Sequence, residues 1–209
     1  MGAQHATAFA ASTPRRLRYA EAMQAALGKA VLEASGWSID GGAPAAKKFV
    51  LLAAPHTSNW DFVYALACTS VLGLPLRFMA KDDLFRGPAG ALFRALGGIP
   101  IDRSKANNVV DTMVAEFGRT SELVLLIPPE GTRKAGKHWK SGFYHIARGA
   151  NVPVALGFLD YPRKRVGIGP LITLSGDVKA DMDQIRAFYA DKGAKVPAFY
   201  TPPRLREEG

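Results

Sequence analysis

Apolar positions along the chain fall into two textures. Short unbroken runs, Phe49-Val50-Leu51-Leu52-Ala53-Ala54 and Leu123-Val124-Leu125-Leu126-Ile127, sit between charged residues or prolines, the pattern of strands buried on both faces. Leu76–Ala80, Ile99–Ile101, Val152–Leu159 and a piece near Leu171–Leu174 read as further extended segments. Between them apolar residues recur at helical spacing. Ser58 is a good N-cap for a helix running through Phe62 to Leu72, with Asp61 three positions on, where a capping-box acid belongs. Helices are also expected over Ala89–Leu96, after Asn107 or Asn108 (core face Val110, Met113, Val114, Phe117), over Gly142–Arg148, and over Met182–Tyr189, with Met182, Ile185 and Tyr189 on one side.

Thr13-Pro14 reads as the N-cap and first residue of a longer helix reaching about Ser35. Leu17, Ala20, Met23, Leu27 and Val31 recur along it, with Arg15, Arg16, Arg18 and Lys29 outside that stripe. The helix can pack on the domain, lie on an anionic membrane, or do both. Residues 1–12 are small, polar and Ala-rich and are expected to be mobile. The predicted organisation is a mobile start (1–12), a basic amphipathic helix (13–35) and one domain (36–209). Strands alternating with helices predict an α/β fold: a layered single domain with a mainly parallel central sheet flanked by helices, its site gathered at the strand C-terminal ends.

Candidate chemistry appears where the first long strand gives way to its helix, at Ala54-Pro55-His56-Thr57-Ser58-Asn59-Trp60-Asp61. Five positions within one ideal helix diverge by roughly 140°, so His56 and Asp61 meet only if His56 lies just before the helix. The Pro55 turn and the Ser58 cap place it there. A neutral imidazole near pH 7 can take a proton from an alcohol, and a carboxylate on its other nitrogen fixes the tautomer and steadies the imidazolium. The plainer reading of the same residues is a structural histidine in a turn and an aspartate that only caps its helix.

Further along, Ile127-Pro128-Pro129-Glu130-Gly131-Thr132-Arg133 ends another apolar run. His-x-x-x-x-Asp followed by Pro-Glu-Gly-Thr-Arg resembles the signature of the glycerolipid acyltransferases, the group that includes 1-acylglycerol-3-phosphate acyltransferase. Gly98-Ile99-Pro100-Ile101-Asp102-Arg103 resembles the second block of that family, and Lys81 stands in the lead-in to it. The resemblance spans roughly His56 to Leu156. Two positions depart from it: Pro128 stands where an aromatic is usual, and Val152-Pro153-Val154 runs into Ala155-Leu156 without a second proline.

The resemblance implies O-acyl transfer from an acyl thioester, acyl-CoA or acyl carrier protein, to a lysophospholipid hydroxyl. His56 would be the general base and Asp61 would orient it, with no acyl-enzyme. Glu130, Gly131, Thr132 and Arg133, with Lys81 and Arg103, would bind the acceptor. Arg grips phosphate with paired hydrogen bonds and Lys acts as a point charge. Glu130 either binds a hydroxyl or pins Arg133. The alternatives are a remodelling acyltransferase for another lysolipid, a thioesterase, or a non-enzymatic anionic-lipid-binding domain.

Charge narrows the partners. The 209 residues carry a net charge of +9, and the pI is about 9.8, so an anionic partner is expected. Nucleic acid is disfavoured because the aromatics sit in apolar runs rather than interleaved with Lys and Arg. The single Cys68 excludes an internal disulfide framework. His5, His138 and His145 lack ligand spacing with Cys68 or acidic partners, so no metal and no cofactor is expected. The longest apolar candidate, Val63–Leu76, is broken by Thr69, Ser70 and Pro75. Without a recognisable signal peptide, the expected location is the cytoplasm, peripheral on the cytoplasmic membrane face.

Overall fold

A computed structural model describes residues 15–87, 89–101 and 106–208. In chain order the elements are α1 (Arg15–Ser35), β1 (Ser38–Asp40), β2 (Lys48–Ala54), α2 (Asn59–Val71), β3 (Leu76–Lys81), a 3-10 turn (Asp82–Phe85), α3 (Ala89–Ala95), β4 (Gly98–Ile101), α4 (Ala106–Arg119), β5 (Leu123–Ile127), α5 (Gly142–Ala150), β6 (Val154–Asp160), β7 (Arg165–Ile172) and α6 (Val178–Tyr189). The seven strands form one sheet in the order β1-β7-β6-β2-β5-β3-β4.

Strands β6, β2, β5, β3 and β4 run parallel to one another. Strand β7 is antiparallel to β6, and β1 is parallel to β7. The sheet is therefore mixed and mostly parallel, as the alternation of strands and helices predicts. Its centre is the most apolar part: β5 and β6 are buried along their whole length, and β2 after its first residue. Side chains of β2 alternate between the two faces. Val50, Leu52 and Ala54 join Met113 and Phe117 of α4, Phe143 and Ile146 of α5, and Met182 and Ile185 of α6. Phe49, Leu51 and Ala53 face the other way with Ala65 of α2 and Phe93 of α3. Phe49, Leu52, Leu125 and Leu156 are fully buried, each such side chain contributing about 1.5–3 kcal/mol.

Helix α1 forms a further tier, lying on α2 rather than on the sheet. Leu32 packs with Tyr64, Ala67 and Cys68 of α2 and with Trp37. The crossing is close because Gly28 has no side chain: a Cβ there would sit 2.7 Å from the Ala67 carbonyl oxygen. This corrects the predicted stripe. Met23 and Leu27 are 70% and 66% exposed, while Gly28 and Leu32 face the domain and Ala25 and Val31 are half-buried. The Met23 and Leu27 part of the stripe thus turns outward while Val31 packs inward, and backbone proximity at Gly28 decides which side docks.

Strand β1 was not predicted; its polar Ser-Ile-Asp sequence has no strand pattern of its own. Strand β7 starts at Arg165, earlier than the expected piece near Leu171, because it hairpins back from β6. The mobility expected of residues 1–12 concerns positions outside the described residues. No helix among the described residues is long and apolar enough to cross a membrane.

Candidate active site

The parallel strands deliver their following residues to one rim in a fixed order: Tyr161 after β6, His56 after β2, Glu130–Arg133 after β5, and Lys81 at the end of β3. Adjacent strands are about 4.8 Å apart, so neighbours in this order come within side-chain reach.

At the β2–α2 junction the peptide before Pro55 is cis, and Ser58 caps α2 by accepting the Trp60 N–H at 3.2 Å. Asp61, 1% exposed, completes the capping box. Its Oδ2 accepts the amide N–H groups of Thr57 at 2.6 Å and Ser58 at 2.7 Å. The same Oδ2 lies 3.4 Å from His56 Nδ1. Capping and orienting are therefore two jobs of one carboxylate. Its other oxygen, Oδ1, accepts the hydroxyl of Tyr161 at 2.5 Å. With Nδ1 turned toward Asp61, Nε2 is the nitrogen left for chemistry. His56 lines an open cleft of about 980 Å³.

Glu130 is placed differently from its block mates. It is 4% exposed, and its Oε1 accepts the backbone N–H of His56 at 2.8 Å. Its Oε2 is buried without a hydrogen-bond partner. Burial pushes the carboxyl up to about 7, against the opposing pull of its own amide and that of His56. It supports the turn that carries His56 from beneath, through the His56 amide.

Gly131, Thr132 and Arg133 line the cleft. Gly131 adopts φ +69°, a left-handed turn that suits glycine, and it leaves room for Lys140, whose Cγ is 3.0 Å from where a Cβ would stand. Thr132 Oγ1 accepts the Lys134 N–H at 3.4 Å. Arg133 is exposed and donates through Nη1 to Asn59 Oδ1, at the start of α2. Lys81 is exposed on the same cleft. Arg103 lies outside the described residues, although Ile101, two positions before it in the same block, is a cleft residue.

Sequence reasoning missed Tyr161, which bonds Asp61 from outside the cleft lining, and the cleft residues Asn59, Lys134 and Lys140. It also missed the apolar wall, to which Met79, Val110, Phe143, Ile146 and Phe199 contribute. For Tyr161 one signal existed, its position directly after a buried strand. No cluster of three or more metal-ligating side chains occurs among the described residues. The cleft thus presents a histidine backed by a buried carboxylate, exposed positive charge and an apolar wall. That combination suits proton removal from a hydroxyl on an amphiphile with an anionic head.

A family model described as "Acyltransferase" matches residues 39–155, more than half of the chain. The crystal structure of the 1-acyl-sn-glycerophosphate (LPA) acyltransferase PlsC from Thermotoga maritima superposes with a TM-score of 0.62 at 15% identity, over 85% of this chain and 80% of that one. At that identity the likeness is one of fold. No curated protein matches the chain significantly.

Proposed function

Because the chain belongs to the acyltransferase family, we propose that it moves a fatty acyl group from an acyl thioester to the hydroxyl of a lysophospholipid, with 1-acylglycerol-3-phosphate the best-fitting acceptor. The observation that carries this reading is His56, open to the cleft and backed by buried Asp61 across 3.4 Å. His56 Nε2 takes the acceptor's hydroxyl proton as the oxygen attacks the thioester carbonyl. The tetrahedral intermediate then collapses, the carbon–sulfur bond breaks, and the imidazolium returns the proton to the departing thiolate. The products are an ester and a free thiol. General-base assistance of this kind contributes about 10²–10⁴ in rate.

An acceptor phosphate is met by Arg133, Lys81, Lys134 and Lys140, and its acyl chain by the apolar wall. Acyl-CoA and acyl carrier protein both present the required thioester, and no other cofactor enters the chemistry. An anionic membrane surface is the expected source of acceptor. Exposed Met23 and Leu27 on α1, and Trp60 and Val63 on α2, support peripheral docking.

The test is transfer of labelled acyl groups from each donor to a panel of lysolipids. Wild type is expected to form diacyl product, and His56→Ala and Asp61→Ala, folded by circular dichroism, to lose at least about a hundredfold. Binding without turnover by wild type would leave a lipid-binding domain. Thioester loss that lysolipid neither speeds nor diverts into product would leave a thioesterase.

A further inference from the structure

Asp61 is held from a second side by a residue 100 positions further along the chain. Tyr161 leaves the end of β6, beyond the stretch matched by the family model, and donates its hydroxyl to Asp61 Oδ1 at 2.5 Å. The ring that delivers this hydroxyl is itself fixed. Trp37 meets it edge-on with centroids 4.8 Å apart, Tyr64 lies at 6.2 Å, and the Lys195 ammonium sits 5.8 Å from its centroid.

We infer that Tyr161 is a positioning residue of the active site, fixing through its hydroxyl the carboxylate that orients the His56 imidazole. Without it, Asp61 is tied only through Oδ2, by the Thr57 and Ser58 amides. Those bonds restrain the rigid carboxylate through one oxygen, and the hydroxyl on Oδ1 adds a second, independent anchor against its rotation, keeping Oδ2 facing Nδ1. Burial, followed by the Asp61 contact, raises the phenol well above its ordinary range, so it remains a donor at any working pH. Glu130, under the His56 amide, is a further titratable neighbour, as are Tyr64 and Lys195 beside the Tyr161 ring. This assignment rests on His56 acting as the base, yet it can be tested apart from turnover.

Tyr161→Phe keeps the ring and removes the hydroxyl. In the full chain it is expected to lower kcat about tenfold to hundredfold, the range for a hydrogen bond to a charged group, with KM within about twofold of wild type. The ring nitrogen and Nδ1-proton NMR signals of His56 should move in Tyr161→Phe. They should not respond to the same change made in an Asp61→Asn background, since the hydroxyl acts through the carboxylate. Unchanged kcat and superimposable His56 signals would overturn the assignment while leaving His56 as base. Equal signal changes in the wild-type and Asp61→Asn backgrounds would also overturn it, because the effect would then bypass Asp61. Should wild type prove inactive toward every acceptor, the acyl-transfer reading fails, and the NMR comparison alone decides whether Tyr161 holds the pair. If Tyr161→Phe does not fold, 3-fluorotyrosine at this position keeps the ring and the bond while making the hydroxyl a stronger donor. The His56 signals must then respond or the assignment falls.

Discussion

Glu130 places a pH-sensitive element under the turn that carries His56, and its size can be worked out from its surroundings. The carboxyl is almost wholly buried, has one oxygen without a partner, and is raised from an ordinary 4.5 to about 7. A group that holds its proton more tightly in the folded state stabilises the fold below its unfolded value, and that contribution is lost as pH rises through the folded one. At about 1.4 kcal/mol per unit, the rise corresponds to on the order of 3 kcal/mol, lost between roughly pH 4.5 and pH 8. Glu130→Gln keeps an acceptor for the His56 N–H and removes the titration. Urea unfolding of both proteins from pH 4.5 to 8.5 checks this. Whatever constant offset the amide introduces, wild-type stability minus variant stability should fall by that amount as pH rises, with unchanged m-values. Parallel curves, or a difference that grows with pH, would refute the reasoning.

Two further outcomes follow from other parts of the molecule. Met23→Asp with Leu27→Asp changes side chains that are already exposed. Thermal stability should stay within about 2 °C while sedimentation with anionic vesicles at low salt is lost; unchanged sedimentation would put the lipid-facing surface elsewhere. Cys68 is 2% exposed, and burial pushes its thiol up to about 12. A thiol reagent should therefore label it only at the rate of unfolding, in step with added urea, and rapid labelling of the native protein would contradict that packing.

Much of this architecture was legible because parallel strands advertise themselves. The runs at Phe49–Ala54 and Leu123–Ile127 are β2 and β5, and the chemistry-bearing residues follow their ends. The capping box was legible too, since Ser58 and Asp61 stand three positions apart. What stayed hidden depended on neighbours distant in the chain. Counting apolar positions on α1 finds a stripe but cannot say which side docks, and the close approach of Ala67 to Gly28 decides it. The spacing of Glu130 in its block does not reveal that it turns inward to the His56 amide rather than toward Arg133. Tyr161 meets Asp61 only through the β6–β2 pairing.

The seam at Gly28 makes α1 an awkward segment to shorten. Its inner side covers Tyr64, Ala67 and Cys68 on the helix that also bears Asp61. Truncating it to improve handling would strip an apolar strip of α2 bare. The shortened protein should gain stickiness rather than lose it, because the cut bares the packing behind the turn that carries His56.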